Sequence, residues 1–497
     1  MELLFLLLSS FLFLLFLLHA IDLYRRRTLP PGPTGLPVIG NLLDLGPKPH
    51  ETLAKLSQKH GPLMTIRLGT ITTVVASTPE AAREILQRND EACSGRVVPD
   101  AVTALKHRDL AVIWISTNKE WRYIRKAISG YLTHQQKLDT LSDLREKVVE
   151  GMLEYLRECS RKNEAVDIGR LTFAVALNQM SNTMLSRNVT TYDSDDIGGF
   201  KMAVKTVMEV DGKFNIADVF PVLKPWDPQK IRRKAKAAYD WFDKVTDGFI
   251  NDRLNHRESK LPRYGDMLDS LLDYGQENET QFNLIHMIKT LLVDLFIGGT
   301  ETSSNTTEWV MTELLLNPHM FSRVRQEVST IVGKDGNIQE SKILNLPYLQ
   351  AIIKETLRLH LSTPFLVPHR TETDVKLGEY VVPKNTQILV NAWAIARDPR
   401  YWENPLTFMP ERFLENKLDY KGRHFEYIPF GSGRRMCPGM PLAHRVVSLM
   451  VASLVYHFDW KLPYVKEDIN MNCIFGVTLI RETSLVAIPI PVKLVLT

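Results

Sequence analysis

Four cysteines, Cys93, Cys159, Cys437 and Cys473, lie far apart in the 497-residue chain, and one of them has an unusual neighbourhood. Around Cys437 the sequence reads Phe430-Gly431-Ser432-Gly433-Arg434-Arg435-Met436-Cys437-Pro438-Gly439. The glycines at 431, 433 and 439 allow backbone to approach something flat and close, and Arg435 supplies a permanent cation. Past Pro438, Leu442 to Leu454 reads as a helix, so a thiolate at 437 lies near a helix amino end that stabilises negative charge. These are the surroundings of a metal-bound thiolate. The other three cysteines read as small buried hydrophobes, and their wide spacing without a CxxC pair argues against a disulfide framework and a structural zinc site.

A second chemical cluster sits inside a helical pattern. Phe282 to Asn317 runs without a proline until Pro318 and contains Gly298-Gly299-Thr300-Glu301-Thr302-Ser303. Each mid-helix glycine costs roughly 1 kcal/mol against alanine, so something must compensate. Lys354-Glu355-Thr356-Leu357-Arg358 follows Pro347, and the i, i+3 spacing puts Glu355 and Arg358 on one helix face. Trp121 and Arg125 are likewise one turn apart.

The elements that must hold these groups are mainly helical. Thr72 to Ala76, Gln387 to Val390 and Leu485 to Ile490 alternate as short strands, and Ser259 to Gly265 reads as an exposed loop. The composition, 44% apolar and 24% charged, is that of a chain with a large core. Lys and Arg total 61 against 57 Asp and Glu, a formal +4, which gives no reason to expect nucleic-acid binding.

From Leu3 to Leu18 every residue but Ser9 and Ser10 is apolar, and Arg25, Arg26 and Arg27 follow. Residues 1–24 are read as a single membrane anchor, with positive charge on its carboxyl side keeping the body in the cytosol. A cleaved signal peptide is the weaker alternative, because His19-Ala20-Ile21-Asp22 lacks small residues in the right places. Residues 25–40 form a basic and proline-rich hinge, in which Leu29-Pro30-Pro31-Gly32-Pro33 would stand off as a stiff extended spacer. Residues 41–497 are read as one folded body, which would be the catalytic domain.

The loop around Cys437 resembles the haem-binding loop of the cytochromes P450, FxxGxRxCxG, at Phe430, Gly433, Arg435, Cys437 and Gly439. The resemblance extends to Pro410-Glu411-Arg412-Phe413, Trp121-Arg122-Tyr123-Ile124-Arg125, and Gly298 to Thr302. It implies the triangular helical prism with small β-sheets of that family, preceded by one transmembrane helix. It also implies haem b with Cys437 as the axial ligand of the iron, and Phe430, Gly431, Gly439 and Gly299 against the cofactor. Trp121, Arg125 and Arg435 would meet the propionates; for the third propionate partner, Pro368-His369-Arg370 offers His369 first and Arg370 second. Glu355, Arg358 and Arg412 would form a structural triad holding the cysteine loop, and Glu301 and Thr302 would be the catalytic pair guiding protons to bound O2. A thiolate ligand favours cleavage of the O–O bond, so the implied activity is a monooxygenase. Electrons would come from NADPH through a membrane-bound cytochrome P450 reductase, for which Lys119, Arg122, Lys126 and Arg434 offer a basic face.

Longer stretches, such as Leu346 to Arg358 and Gln387 to Ile395, resemble plant microsomal enzymes of the geraniol 8-hydroxylase and ferruginol synthase group. This implies the endoplasmic reticulum membrane, a lipid-embedded anchor and a small hydrophobic substrate, with a terpenoid preferred; a phenolic or tyrosine-like substrate is the alternative, and a non-catalytic haem protein a weaker one. By analogy the pocket would take Val102, Leu105 and Ile113 from one segment and Phe296 and Thr300 from the long helix. Thr363, Phe365 and Val367 would come from the loop after the ExxR helix, and Phe475, Gly476 and Val477 from the last hairpin. Relatives carry His-Pro-Pro where this chain has His360-Leu361-Ser362-Thr363, which predicts a looser loop with hydroxyls near the haem.

Overall fold

The computed structural model describes residues 28–103, 106–194, 199–277, 283–333 and 336–492, with Glu2, Phe5 and Leu6. The expected anchor, apart from those three residues, and the arginines at 25 to 27 lie outside the described residues, as do Ala104 and Leu105. Among the described residues no helix is long and apolar enough to cross a membrane.

Among the described residues eleven helices of eight residues or more carry the architecture: α1 (Pro49–His60), α2 (Lys119–Leu132), α3 (Ser142–Lys162), α4 (Ile168–Leu185), α5 (Phe200–Gly212), α6 (Ile231–Glu258), α7 (Met267–Glu277), α8 (Leu284–Leu316), α9 (Pro318–Val332), α10 (Pro347–Leu359) and α11 (Met440–His457). The expected 282–317 helix is α8, begun by the Asn283 side chain accepting from His286 N at 3.1 Å and ended before Pro318. At 33 residues it is roughly 50 Å long. It is buried on nearly every side and packs against α4, α5, α6, α10 and α11. Its many hydroxyls are tolerated there because they bond back one turn: Thr300 Oγ1 donates to Phe296 O at 2.7 Å and Thr307 Oγ1 to Ser303 O at 2.9 Å.

Among the described residues twelve short strands form four small sheets: β1 (Leu63–Leu68), β2 (Ile71–Ala76), β3 (Gly95–Arg96), β4 (Val166–Asp167), β5 (His369–Arg370), β6 (Val375–Leu377), β7 (Tyr380–Val382), β8 (Gln387–Val390), β9 (Phe458–Lys461), β10 (Cys473–Phe475), β11 (Leu479–Arg481) and β12 (Val486–Pro491). The largest sheet has the order β1-β2-β8-β5-β3. Its β2 and β8 run parallel with Thr73 opposite Gln387, a pairing across more than three hundred residues that local patterning does not specify.

Two expectations change here. From Leu29 onward the proline-rich segment is laid against β1 rather than standing off: Thr65 N donates to Pro31 O at 2.9 Å, Asn41 N to Arg67 O at 2.6 Å, and Leu29 is buried. A Cβ on Gly32 would lie 1.8 Å from Thr65 O, so only glycine allows that approach. The 361–363 loop is tied rather than loose. Leu479 N donates to Ser362 O at 2.7 Å, Leu361 and Ser362 are buried, and His360 stacks on Trp309 at 3.8 Å with its Nε2 2.6 Å from Glu313 Oε1. Burial of Leu361 and the His360 stack replace what two prolines would have stiffened.

Candidate active site

Cys437 lies where the 428–439 loop enters α11. The loop is closed by Cys437 N donating to Phe430 O at 3.0 Å and Gly431 N to Ile428 O at 3.0 Å. Gly431 and Gly433 hold φ near +70°, a region that L side chains rarely adopt, and a Cβ at 433 would lie 2.0 Å from Leu86 O. Phe430 is half-buried against Tyr420, and a Cβ on Gly439 would come to 3.8 Å from the Cys437 sulfur. The Cys437 side chain is exposed, though the surrounding protein still desolvates its sulfur. Desolvation there pushes its thiol up, while the N–H groups of Gly439 and Met440 and the Arg125 charge favour the thiolate.

Around this loop stands a set of cations with no carboxylate of their own. Arg435 donates to the carbonyls of Ser94 and Val112, each at 3.0 Å, and lies 5.1 Å over the Trp121 ring. Trp121 Nε1 donates to Val112 O at 3.1 Å, and Arg125, one turn on, donates to Met436 O. Arg96 is buried, donates to Val367 O at 2.5 Å, and has an Nε with no partner. Among the described residues Arg96, Arg125 and Arg435 form no salt bridge. Desolvation and their mutual repulsion pull Arg96 well down, and Arg435 down to about 10. Three desolvated guanidiniums with no salt-bridged acid among the described residues, and only Glu372 acting on Arg435 from a distance, are a site for an anion. His369 is buried, and its Nδ1 faces Cys93 O at 2.8 Å, so Nδ1 carries the proton and Nε2 is an acceptor; burial, Arg96 and Arg435 hold it well below the usual histidine range. Arg370 instead pairs with Glu372 at 3.1 Å, and of the two candidates only His369 faces inward.

Glu355, Arg358 and Arg412 meet as a buried triad. Arg358 and Glu355 pair through two contacts of 2.7 and 2.8 Å, and Arg412 Nε reaches Glu355 Oε1 at 3.2 Å. The remaining guanidinium protons go to the carbonyls of Ala396, Pro405 and Glu403, at 2.7, 2.7 and 2.9 Å, so the pair on α10 is bolted to the segment that leads to the cysteine loop.

On α8 the Thr302 hydroxyl donates to Gly298 O at 2.8 Å. Glu301 is buried, and its Oε2 accepts from Thr478 Oγ1 at 2.6 Å, which partly offsets the upward push of burial on the carboxyl.

A sequence model for cytochrome P450 matches residues 30–486. The chain belongs to the cytochrome P450 family. It is 44% identical over 478 residues to cytochrome P450 76T24 of Catharanthus roseus, covering 96% of each chain. It is 43% identical over 484 residues to geraniol 8-hydroxylase of the same plant, covering 97% of this chain and 98% of the relative. To ferruginol synthase of Isodon rubescens it is 42% identical over 471 residues, covering 94% and 95%. The chain is thus a P450 oxidoreductase, a monooxygenase by family, and membership implies haem and O2. The residues present fit that group: a thiol flanked by two N–H donors suits its iron, and the acid-free guanidiniums suit its two carboxylates.

The pocket residues expected of this P450 fall in different surroundings. Phe296 and Thr300 lie on the far side of α8 from Gly298 and Thr302, fully buried, with Phe296 against Phe200 at 5.1 Å. Of the two glycines, Gly298 faces open space, whereas a Cβ on Gly299 would lie 2.6 Å from Met180 Sδ; Gly299 lets α4 and α8 approach. Phe365 turns into the cluster of Leu53, Met64 and Ile66, and Leu366, at φ +55°, reaches to 3.7 Å from where a Gly431 Cβ would stand. Phe475 stacks on His50 at 5.6 Å. Val102, Ile113 and Val367 pack together, Thr363 is half-buried, and Gly476 and Val477 form the tip of the β10–β11 hairpin. Leu105 lies outside the described residues. On the expected basic face, Arg434 is engaged by Asp90 at 3.1 Å, while Lys119, Arg122 and Lys126 are exposed.

Arg96 escaped the sequence reading. It lies on a strand of two residues, which carries no periodicity, and its only local mark is the Ser94-Gly95-Arg96 turn before two valines and a proline.

Proposed function

We propose that this P450 hydroxylates a small hydrophobic plant terpenoid, with O2 and with electrons passed from NADPH by a membrane-bound reductase. The observation that carries the reading is the Cys437 thiol, presented beside the Gly439 and Met440 N–H groups at the entry to α11 and faced by acid-free arginines. Haem bound there would supply dioxygen activation, helped by the electron donation of a thiolate ligand. Arg96, Trp121, Arg125 and Arg435 would hold its carboxylates, joined by His369 when a proton on Nε2 makes it a donor, and the Glu355, Arg358 and Arg412 triad would fix the loop that presents Cys437. Thr302 and Glu301 would pass protons toward the dioxygen, Thr302 from a hydroxyl whose own proton is parked on Gly298 O. The terpenoid class is supported by relatives named for geraniol and ferruginol.

Residues 1–24 would anchor the chain in the endoplasmic reticulum membrane, with residues 25–40 as the connection and the body from 41 in the cytosol; the apolar run followed by three arginines supports this.

The deciding experiment is the carbon monoxide difference spectrum of the reduced protein, followed by titration with geraniol and a panel of terpenes and phenolics. A strongly red-shifted Soret band with a spin-state change on terpenoid addition is expected, and Cys437→Ser should abolish the band. A histidine-like band would overturn the thiolate, and a response confined to phenolics would overturn the substrate class. Thr302→Ala should consume NADPH while forming less product and more peroxide; unchanged coupling would remove Thr302 from the proton path.

A further inference from the structure

One half-buried acid is left over by this reading. Asp211 is the penultimate residue of α5, and its Oδ1 is buried with no hydrogen-bond partner among the described residues. The helix end that carries it closes directly on the β10–β11 hairpin: a Cβ on Gly212 would lie 1.9 Å from Val477 N, and one on Gly476 would lie 3.4 Å from Met208 O. Facing Asp211 from the other elements are Asp294 on α8, Asp218 after α5 and the buried Tyr239 phenol on α6. His107 sits against Tyr239 at 4.7 Å. Asp294 is fully employed, its two oxygens taking His107 Nε2 at 3.0 Å and Val112 N at 2.8 Å. It stands four residues before Gly298 and eight before Thr302, on roughly the same side of α8 and about 12 Å along the axis from Thr302. Asp211 therefore belongs to a polar group at the end of the α8 face remote from Thr302.

A buried carboxyl oxygen without a partner costs free energy that the fold does not recover, and since the rest of the side chain is only half-buried, a partner can arrive from outside. Burial and the neighbouring acids push Asp211 up to about 8, so at neutral pH it is mostly a neutral acid that can donate and accept one hydrogen bond each. An alcohol has the same double capacity, whereas a carboxylate or phosphate would meet Asp294 and Asp218.

We infer that Asp211 is the polar anchor of the substrate cavity, binding the hydroxyl of an alcohol substrate and leaving carbons remote from that hydroxyl at the Thr302 end. The inference rests on the terpenoid monooxygenase reading and names the functional group it selects.

The test uses the full-length haem-loaded protein and its Asp211→Leu and Asp211→Asn variants, each first shown to retain the thiolate band. Soret titrations would compare geraniol with the hydrocarbon lacking its hydroxyl, a straight-chain alcohol with its alkane, and geranylamine. Wild type should prefer each alcohol about tenfold, the size of one hydrogen bond. Asp211→Leu should erase that preference with hydrocarbon binding unchanged, and Asp211→Asn, which still donates and accepts, should keep most of it. A preference that survives in Asp211→Leu, or equal losses for alcohol and hydrocarbon, would overturn the anchor. Amine preferred over alcohol in wild type would overturn the alcohol and assign a cation. If the thiolate band is present but no terpenoid titrates, the terpenoid reading fails by itself, and the straight-chain pair still decides the role of Asp211.

Discussion

Arg96 and His369 are direct cross-strand partners in the antiparallel pairing of β3 and β5. The pairing sets a buried guanidinium with a free Nε beside a neutral imidazole, at the edge of the cysteine loop, and Arg96 itself pulls the imidazole down. An arriving carboxylate would pair with the guanidinium and favour a proton on the imidazole Nε2. Arg96→Leu should therefore release haem faster, by about ten- to a hundredfold if one charge-assisted hydrogen bond is lost. Transfer of haem to excess apomyoglobin measures this without turnover, and an unchanged rate would exclude Arg96 as a carboxylate ligand.

The Glu301 carboxyl and the Thr478 hydroxyl join α8 to the last hairpin at 2.6 Å. Burial raises the carboxyl and Thr478 opposes that rise, so Thr478→Val should raise it further. A group whose folded pKa is raised stabilises the fold below its unfolded value, and that contribution is lost as pH rises through the folded value. In Thr478→Val the loss moves to higher pH. Infrared titration checks the shift directly: the protonated-acid band absent in Glu301→Gln should persist to higher pH in Thr478→Val than in wild type.

Gly298 and Gly299 should respond oppositely to alanine. At 298 a methyl meets nothing within 4 Å, and the helix gains up to roughly 1 kcal/mol of propensity. At 299 it meets Met180 Sδ at 2.6 Å and must push that side chain out of the α4–α8 contact. Thermal unfolding should show Gly298→Ala at or above wild type and Gly299→Ala below it. Gly298→Ala, on the Thr302 side, should disturb ligand titrations more.

Removing Glu355 strands Arg358 and Arg412, all three nearly or fully buried. Glu355→Ala should cost about 3–5 kcal/mol, enough to lose most folded, haem-competent protein. Arg323→Ala, at an exposed pair with Glu411, should change stability by less than about 1 kcal/mol. Comparable yields of the two variants would deny the triad its structural role.

Much of the site was legible because its signals are local. The crowding of glycines and arginine around Cys437, the proline-free run that became α8, and the i, i+3 spacing of Glu355 and Arg358 each depend on residues within a turn or two of one another, where backbone geometry follows from residue type. What covers a given helix face depends on elements far away in the chain. Sequence spacing put Gly298, Gly299, Thr300 and Thr302 on one helix, but only the packing of α4 against α8 turned Gly299 and Thr300 inward and left Gly298 and Thr302 on the open side. The same holds for Arg96 beside His369, Thr478 on Glu301 and Asp211 near Asp294. Their strands are two or three residues long or their partners lie on other helices, so no periodicity records the contact, and only the closed tertiary structure brings the charges together.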